Sequence, residues 1–120
     1  MGTLDVMSPQ NARAVQIPAG RTSLTAGVFD VSPDGVETVL DGQSEALTLG
    51  DTPAVVFIDA YGKSKGLAPN PRATRLVDAY IPGFANVDMI MGEALVVGFD
   101  PITGQRVDLD PDVEQVASRD

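Results

Sequence analysis

The sequence predicts a small α+β domain: a mainly antiparallel sheet with one or two helices packed on it. Three observations lead there. The run Ala54-Val55-Val56-Phe57-Ile58 is apolar without alternation, as a strand covered on both faces should be. After Asn70-Pro71, the residues Ala73, Leu76, Val77 and Tyr80 recur at helical spacing. Elsewhere, Pro- and Gly-containing turn signals divide the chain into segments too short for anything but strands and brief helices.

The elements follow in order. Residues 1–12 lack periodicity and are expected to form a loose N-terminal arm, with a single domain over residues 13–120. Arg13–Ile17 alternates and ends at the turn signal Pro18-Ala19-Gly20, so it reads as a strand, and Leu24–Val31 as the next. Ser32-Pro33-Asp34-Gly35 carries proline and glycine where a type I turn favours them, which makes Val36–Leu40 the return strand of a hairpin. Glu45–Leu49 fits either a short strand or one helical turn. Ala54–Ile58 is the central strand, and Tyr61–Gly66 a loop. Asn70 as N-cap and Pro71 at the first helical position start a helix, which Ile81-Pro82-Gly83 ends. Val87–Phe99 reads as a strand, broken or bulged at Met91-Gly92 and near Gly98. Ile102–Gln105 is a turn, Arg106–Leu109 a return strand, and Asp110-Pro111 the start of a short C-terminal helix with acids in its first turn.

Composition excludes several functions. At 120 residues the chain has the size of one domain and can bury roughly two-thirds of its unfolded surface. It has no cysteine and no histidine. A Ser-His-Asp triad, a Cys-His dyad and a histidine-based zinc site are therefore excluded, and neither a metal nor a cofactor is expected. Carboxylates, Lys, Tyr, Ser and Thr remain, and they permit a two-carboxylate hydrolase. Such sites surround their acids with aromatics, whereas this chain has six aromatics and no tryptophan, so no enzyme activity is expected. No apolar run approaches the ~20 residues of a membrane span, and the N-terminus lacks a signal-peptide pattern. The expected location is the cytoplasm, with no membrane partner.

The net charge of −9 speaks against general nucleic-acid binding, which requires Lys and Arg to replace phosphate counterions. It serves solubility, or, in a sharper reading, mimicry of DNA by an acidic inhibitor. The positive charge is unevenly placed. Lys63, Lys65, Arg72 and Arg75 give the acid-free stretch Ala60–Val77 a charge of +4, against −13 for the remainder. This stretch runs into a helix N-terminus, where backbone N–H groups and the dipole favour an anion. Lys63, Lys65, Asn70, Arg72 and Arg75 are thus the candidate ligand-binding residues, for a phosphate, a nucleotide or an acidic protein segment. A solvated loop that balances the acidic body is the simpler reading, and no phosphate-loop or dinucleotide fingerprint is present. Asp108, Asp110, Asp112 and Glu114 alternate like a calcium loop, but Glu114 stands where glycine is needed, so they read as helix-capping acids.

Two blocks carry a family resemblance. Residues 59–74 follow a strand with an acidic residue and then G-K-x-x-G-L-x-x-N-x-x-A, carried by Gly62, Lys63, Gly66, Leu67, Asn70 and Ala73. Residues 88–98 follow D-x-I-x-G-x-A-L-V-V-G, from Asp88 to Gly98. Over about residues 54–116 the chain resembles domain-of-unknown-function family 3846, found in bacteria, mobile elements and phages, notably of actinobacteria. The resemblance implies a strand at Ala26–Asp30 before the central strand, with Ser32–Thr52 as an insertion. It also implies a small accessory protein, often phage-borne, in which Gly62, Gly66 and Asn70 are structural and the charged side chains between them make contact. The expected function is that of a non-enzymatic accessory binding protein. It would act on a host or defence component, or sequester a small anionic nucleotide. Its partner would then be a host or phage protein or a small anionic ligand. The alternatives are a structural component of a virion or homo-oligomer, and a DNA-mimic inhibitor.

Overall fold

The computed structural model describes residues 10–20 and 22–119. Its elements are β1 (Asn11–Ile17), β2 (Thr25–Asp30), α1 (Pro33–Leu40), β3 (Ser44–Thr48), β4 (Ala54–Asp59), α2 (Pro71–Tyr80), α3 (Phe84–Val87), β5 (Ala94–Phe99), β6 (Arg106–Val107) and α4 (Pro111–Ala117). All pairings are antiparallel, in the order β2-β1-β5-β4-β3, with β6 added to β5. The fold is the expected α+β type, with four helices among the described residues where one or two were expected.

The register explains the core. Val15, Val96 and Val56 align across β1, β5 and β4, as do Ala14, Val97 and Val55 one position on. Alternate residues of a strand face opposite sides of the sheet, so two cores form. On one side Val15, Val56 and Val96 pack with Ala73, Leu76 and Val77 of α2 and with Val113 and Ala117 of α4. On the other, Ala14, Leu95, Val97 and Phe57 pack with Val36 and Leu40 of α1. Central β5 is covered on both faces and buried along nearly its whole length, which accounts for its unbroken apolar sequence.

Three expectations are corrected. Val36–Leu40 is not a return strand but the body of α1. Ser32 is the N-cap, its hydroxyl accepting from the Gly35 N–H at 3.1 Å, and Pro33 opens the helix. Val36 and Leu40, four apart, then reach the core together. The strand expected over Val87–Phe99 is confined to Ala94–Phe99. Phe84–Val87 forms a helical turn instead, and the following segment hydrogen-bonds to the loop before α2 rather than entering the sheet. Asn70 N–H donates to the Ile90 carbonyl and Gly92 N–H to the Ala68 carbonyl, each at 2.7 Å. Finally, β1 already begins at Asn11, and Ala12 is buried, so the end of the expected arm belongs to the sheet. The rest of the arm lies outside the described residues. Glu45–Leu49, left between strand and helix by its sequence, is largely edge strand β3.

One end of the sheet gathers the loops that matter for contact. Ile17 and Ile58 both pair with Ala94. The segments following β1 and β4 and preceding β5 therefore meet there.

Candidate functional site

The stretch Lys63–Arg75 is divided by the fold. Asp59, at the end of β4, is buried, its side chain 1 % exposed. Its carboxylate accepts from Tyr61 N–H at 2.8 Å and from Lys65 Nζ at 2.6 Å, which closes the loop onto the strand. Burial pushes the Asp59 carboxyl upward, but the Lys65 ammonium and the Tyr61 N–H outweigh it and hold the group below its ordinary value. Lys63 pairs with the Asp88 carboxylate, which also accepts from Met89 N–H at 2.8 Å. The Lys63 bond and then the Met89 N–H lower the Asp88 carboxyl.

Asn70 is a framework residue, with no exposed surface. Its side chain accepts from Ala73 N–H at 3.1 Å and donates to the carbonyls of Ile17 at 2.8 Å and Gly92 at 2.9 Å. Asn70, expected among the ligand-binding residues, is thus engaged by the chain's own atoms at the start of α2. Arg72 Nη2 donates to the carbonyls of Pro18 at 2.7 Å and Thr22 at 2.6 Å, tying α2 to the loop after β1. Arg75 is exposed. The five candidates are thus not brought together. Lys63 and Lys65 stand at the loop end of the sheet, Asn70 lies inside, and Arg72 and Arg75 face the flank of α2 toward α4.

A cleft of about 400 Å³ opens beside Lys63. One wall is the sheet, with Glu45 and Leu47 of β3 and Ile58 of β4. The other is the segment from Phe84 to Met91. Met89 in its wall is exposed at 37 %, and Tyr61 and Val87, which adjoin wall residues in the sequence, are exposed at 53 % and 84 %. Sequence reasoning missed this cleft because Glu45, Phe84 and the block that begins at Asp88 lie far apart in the chain and meet only through the tertiary fold. Asp108, Asp110, Asp112 and Glu114 do not form a cation site: Asp110 caps α4, and Glu114 holds Arg13 through two bonds of 2.8 Å. No group of acidic residues arranged for a metal occurs among the described residues, nor is any helix there long and apolar enough to cross a membrane.

These charge pairs set the pH behaviour. Asp30, Asp59, Asp88 and Glu114 are all held below their ordinary values. A carboxyl of that kind binds fewer protons folded than unfolded. Its stabilisation is complete above the unfolded value near 4 and is lost as pH falls through the lower folded value. With no histidine to titrate, the urea midpoint should stay level from pH 6 to 8 and drop below about pH 4. A steady change between pH 6 and 8 would contradict this account.

The geometry defines a three-layer α+β domain with a mixed apolar and charged cleft beside an edge strand. The chain belongs to the family described as a domain of unknown function, DUF3846, which it matches over residues 11–119. The match takes in β1 to β3, including Ser32–Thr52, which builds α1 and β3. No curated protein matches the sequence. Among solved structures, a "Crystal structure of small RNA methyltransferase HEN1" is similar, with a TM-score of 0.57 at 16 % identity. The likeness covers 92 % of this chain and 16 % of that one, and at such identity it is a likeness of fold.

Proposed function

We propose that the protein is a non-enzymatic accessory binding protein of phage or mobile-element type. It acts in the host cytoplasm on a protein partner, a host or defence component, through the cleft between β3 and the Phe84–Met91 segment. One observation carries the choice of a protein over a small anionic nucleotide. Lys63 at this cleft is already joined to Asp88, and Asp59 in its wall to Lys65, while Leu47, Ile58, Phe84 and Met89 supply apolar wall. An aromatic and methionine-bearing concavity with a polar rim suits a protein segment, and methionine adapts to its contour. Asp59 and Asp88 are held ionised by their lysines, which suits neither a general acid nor a strong base.

The test is affinity capture from the host with wild-type protein and with Val87→Glu, whose side chain is too exposed to matter for folding. A specific partner should be held by the wild type and released by the variant at equal thermal stability. Nucleotides and cyclic dinucleotides should give no thermal shift that depends on Lys63. A nucleotide shift abolished by Lys63→Ala would overturn the protein-partner reading.

A further inference from the structure

β3 is one edge of the sheet, and among the described residues no strand pairs with its outer side. The register fixes which backbone groups that side presents. Ala60 N–H donates to the Gln43 carbonyl at 2.8 Å, and Leu49 N–H to the Ala54 carbonyl at 2.9 Å. In an antiparallel ladder such bonded positions alternate with positions whose N–H and C=O point away from the partner strand. Glu45 and Leu47, in step with Gln43 and Leu49, are thus bonded inward to β4. Ser44 and Ala46 present their N–H and C=O outward, and no described residue bonds to these groups. Successive side chains of a strand alternate between faces. Glu45 and Leu47 therefore share a face, and both line the cleft. The open backbone edge and the cleft are one continuous surface. β3 has neither the proline nor the lysine that commonly blunts an edge. Its one charge is Glu45, which is exposed and forms no ion pair with a described residue.

We propose that a basic, extended segment of the partner adds to β3 as a further antiparallel strand, with alternate side chains in the cleft. This rests on the reading of the cleft as a protein site and states what that site takes. In strand addition, main-chain bonds give affinity and pockets for alternate side chains give specificity. Antiparallel pairing matches every pairing of this sheet and is more stable per residue than parallel pairing. Partner residues opposite Leu47 and Glu45 then point into the cleft two positions apart, and the one opposite Leu47 comes first. The segment accordingly carries an apolar side chain and, two residues later, a lysine or arginine. Opposite charges across a strand pair attract and like charges repel. Glu45 thus selects against acidic chains, including further copies of this chain with its net charge of −9.

Nuclear magnetic resonance titration of the isotope-labelled full chain with the peptide Ser-Thr-Leu-Thr-Lys-Thr-Ser tests the proposal. The amide signals of Ser44 and Ala46 should move. Methylating the amide nitrogen of the central threonine, which faces Ala46, should weaken binding about tenfold or more. Exchanging the leucine and the lysine should weaken it as well. Glutamate in place of the lysine should weaken it about fivefold or more, and Glu45→Lys should reverse the preference between those two peptides. In the capture experiment, Ala46→Pro should release the partner. It removes an outward donor on an edge strand, where proline is tolerated, and the peptide measurements do not depend on its folding. Binding indifferent to methylation, or a charge preference unchanged by Glu45→Lys, would overturn the proposal. A wild-type dimer that folded Ala46→Pro abolishes would also overturn it, by giving the edge to a second copy. A partner released by Val87→Glu but held by folded Ala46→Pro would overturn strand addition and leave the cleft reading standing. Release by neither variant would overturn both.

Discussion

Asn70→Ala should lower stability by about 3–5 kcal/mol, read as the shift of the urea midpoint followed by circular dichroism. The side chain is wholly buried and makes three hydrogen bonds. Truncation removes the cap of α2, worth about 1 kcal/mol. It also leaves the Ile17 and Gly92 carbonyls without this donor in the interior, at about 1–2 kcal/mol each. Against a total stability of about 5–15 kcal/mol for an ordinary domain, the variant would approach unfolding. Asn70→Asp separates the two effects. It keeps the capping oxygen but turns a carboxylate toward two carbonyls, so it should be no more stable than Asn70→Ala. A loss below about 1 kcal/mol for Asn70→Ala would show that the interior bonds matter little.

Gly62→Ala should cost about 2–3 kcal/mol and deform the cleft. An added Cβ would overlap the Met91 carbonyl oxygen, a backbone atom that cannot rotate away. Gly62 and Met91 both line the cleft, so their separation would also weaken partner capture. Gly66, four residues on, makes the contrast. Its φ is +68° and a Cβ there would meet nothing within 4 Å. Gly66→Ala should therefore cost about 1–2 kcal/mol from backbone conformation alone, and Gly66→Asn less, since asparagine tolerates that region. Gly62→Asn should be worse than Gly62→Ala. Equal losses at the two positions, in paired urea titrations, would refute the distinction.

The elements legible in the sequence are those whose signals are local. Asn70-Pro71 and Asp110-Pro111 announced α2 and α4 because cap and proline act within one turn. β4 was legible because a strand covered on both faces needs no polar alternation. α1 was misread because Ser32-Pro33-Asp34-Gly35 satisfies a turn and a helix start equally, and Val36, Thr38 and Leu40 also alternate. The choice was made by the core, where Val36 and Leu40 pack on Phe57 and Leu95. Met89, Ile90 and Met91 look like strand for the same reason. Their backbone is instead drawn to the Ala68–Asn70 segment and to Thr74, whose hydroxyl accepts from Ile90 N–H at 3.0 Å. The candidate site was legible only as a charge excess. Nothing local shows that Asp59 and Asp88 would take up the two lysines.

The position of β5 has a consequence for how the chain is made. β1 with β2, and β3 with β4, are sequence-adjacent ribbons that touch through β5 alone in the strand order. β5 is synthesised after both, separated from β4 by residues 60–93. At about 5–20 residues per second, translation of that interval takes roughly 2–7 s. During that time the inner edges of β1 and β4 have no neighbour, and such edges invite pairing with other chains. The seam that joins the halves is thus the late-arriving Ala94–Phe99. A ribosome that stalls before it leaves two adhesive ribbons in place of a domain.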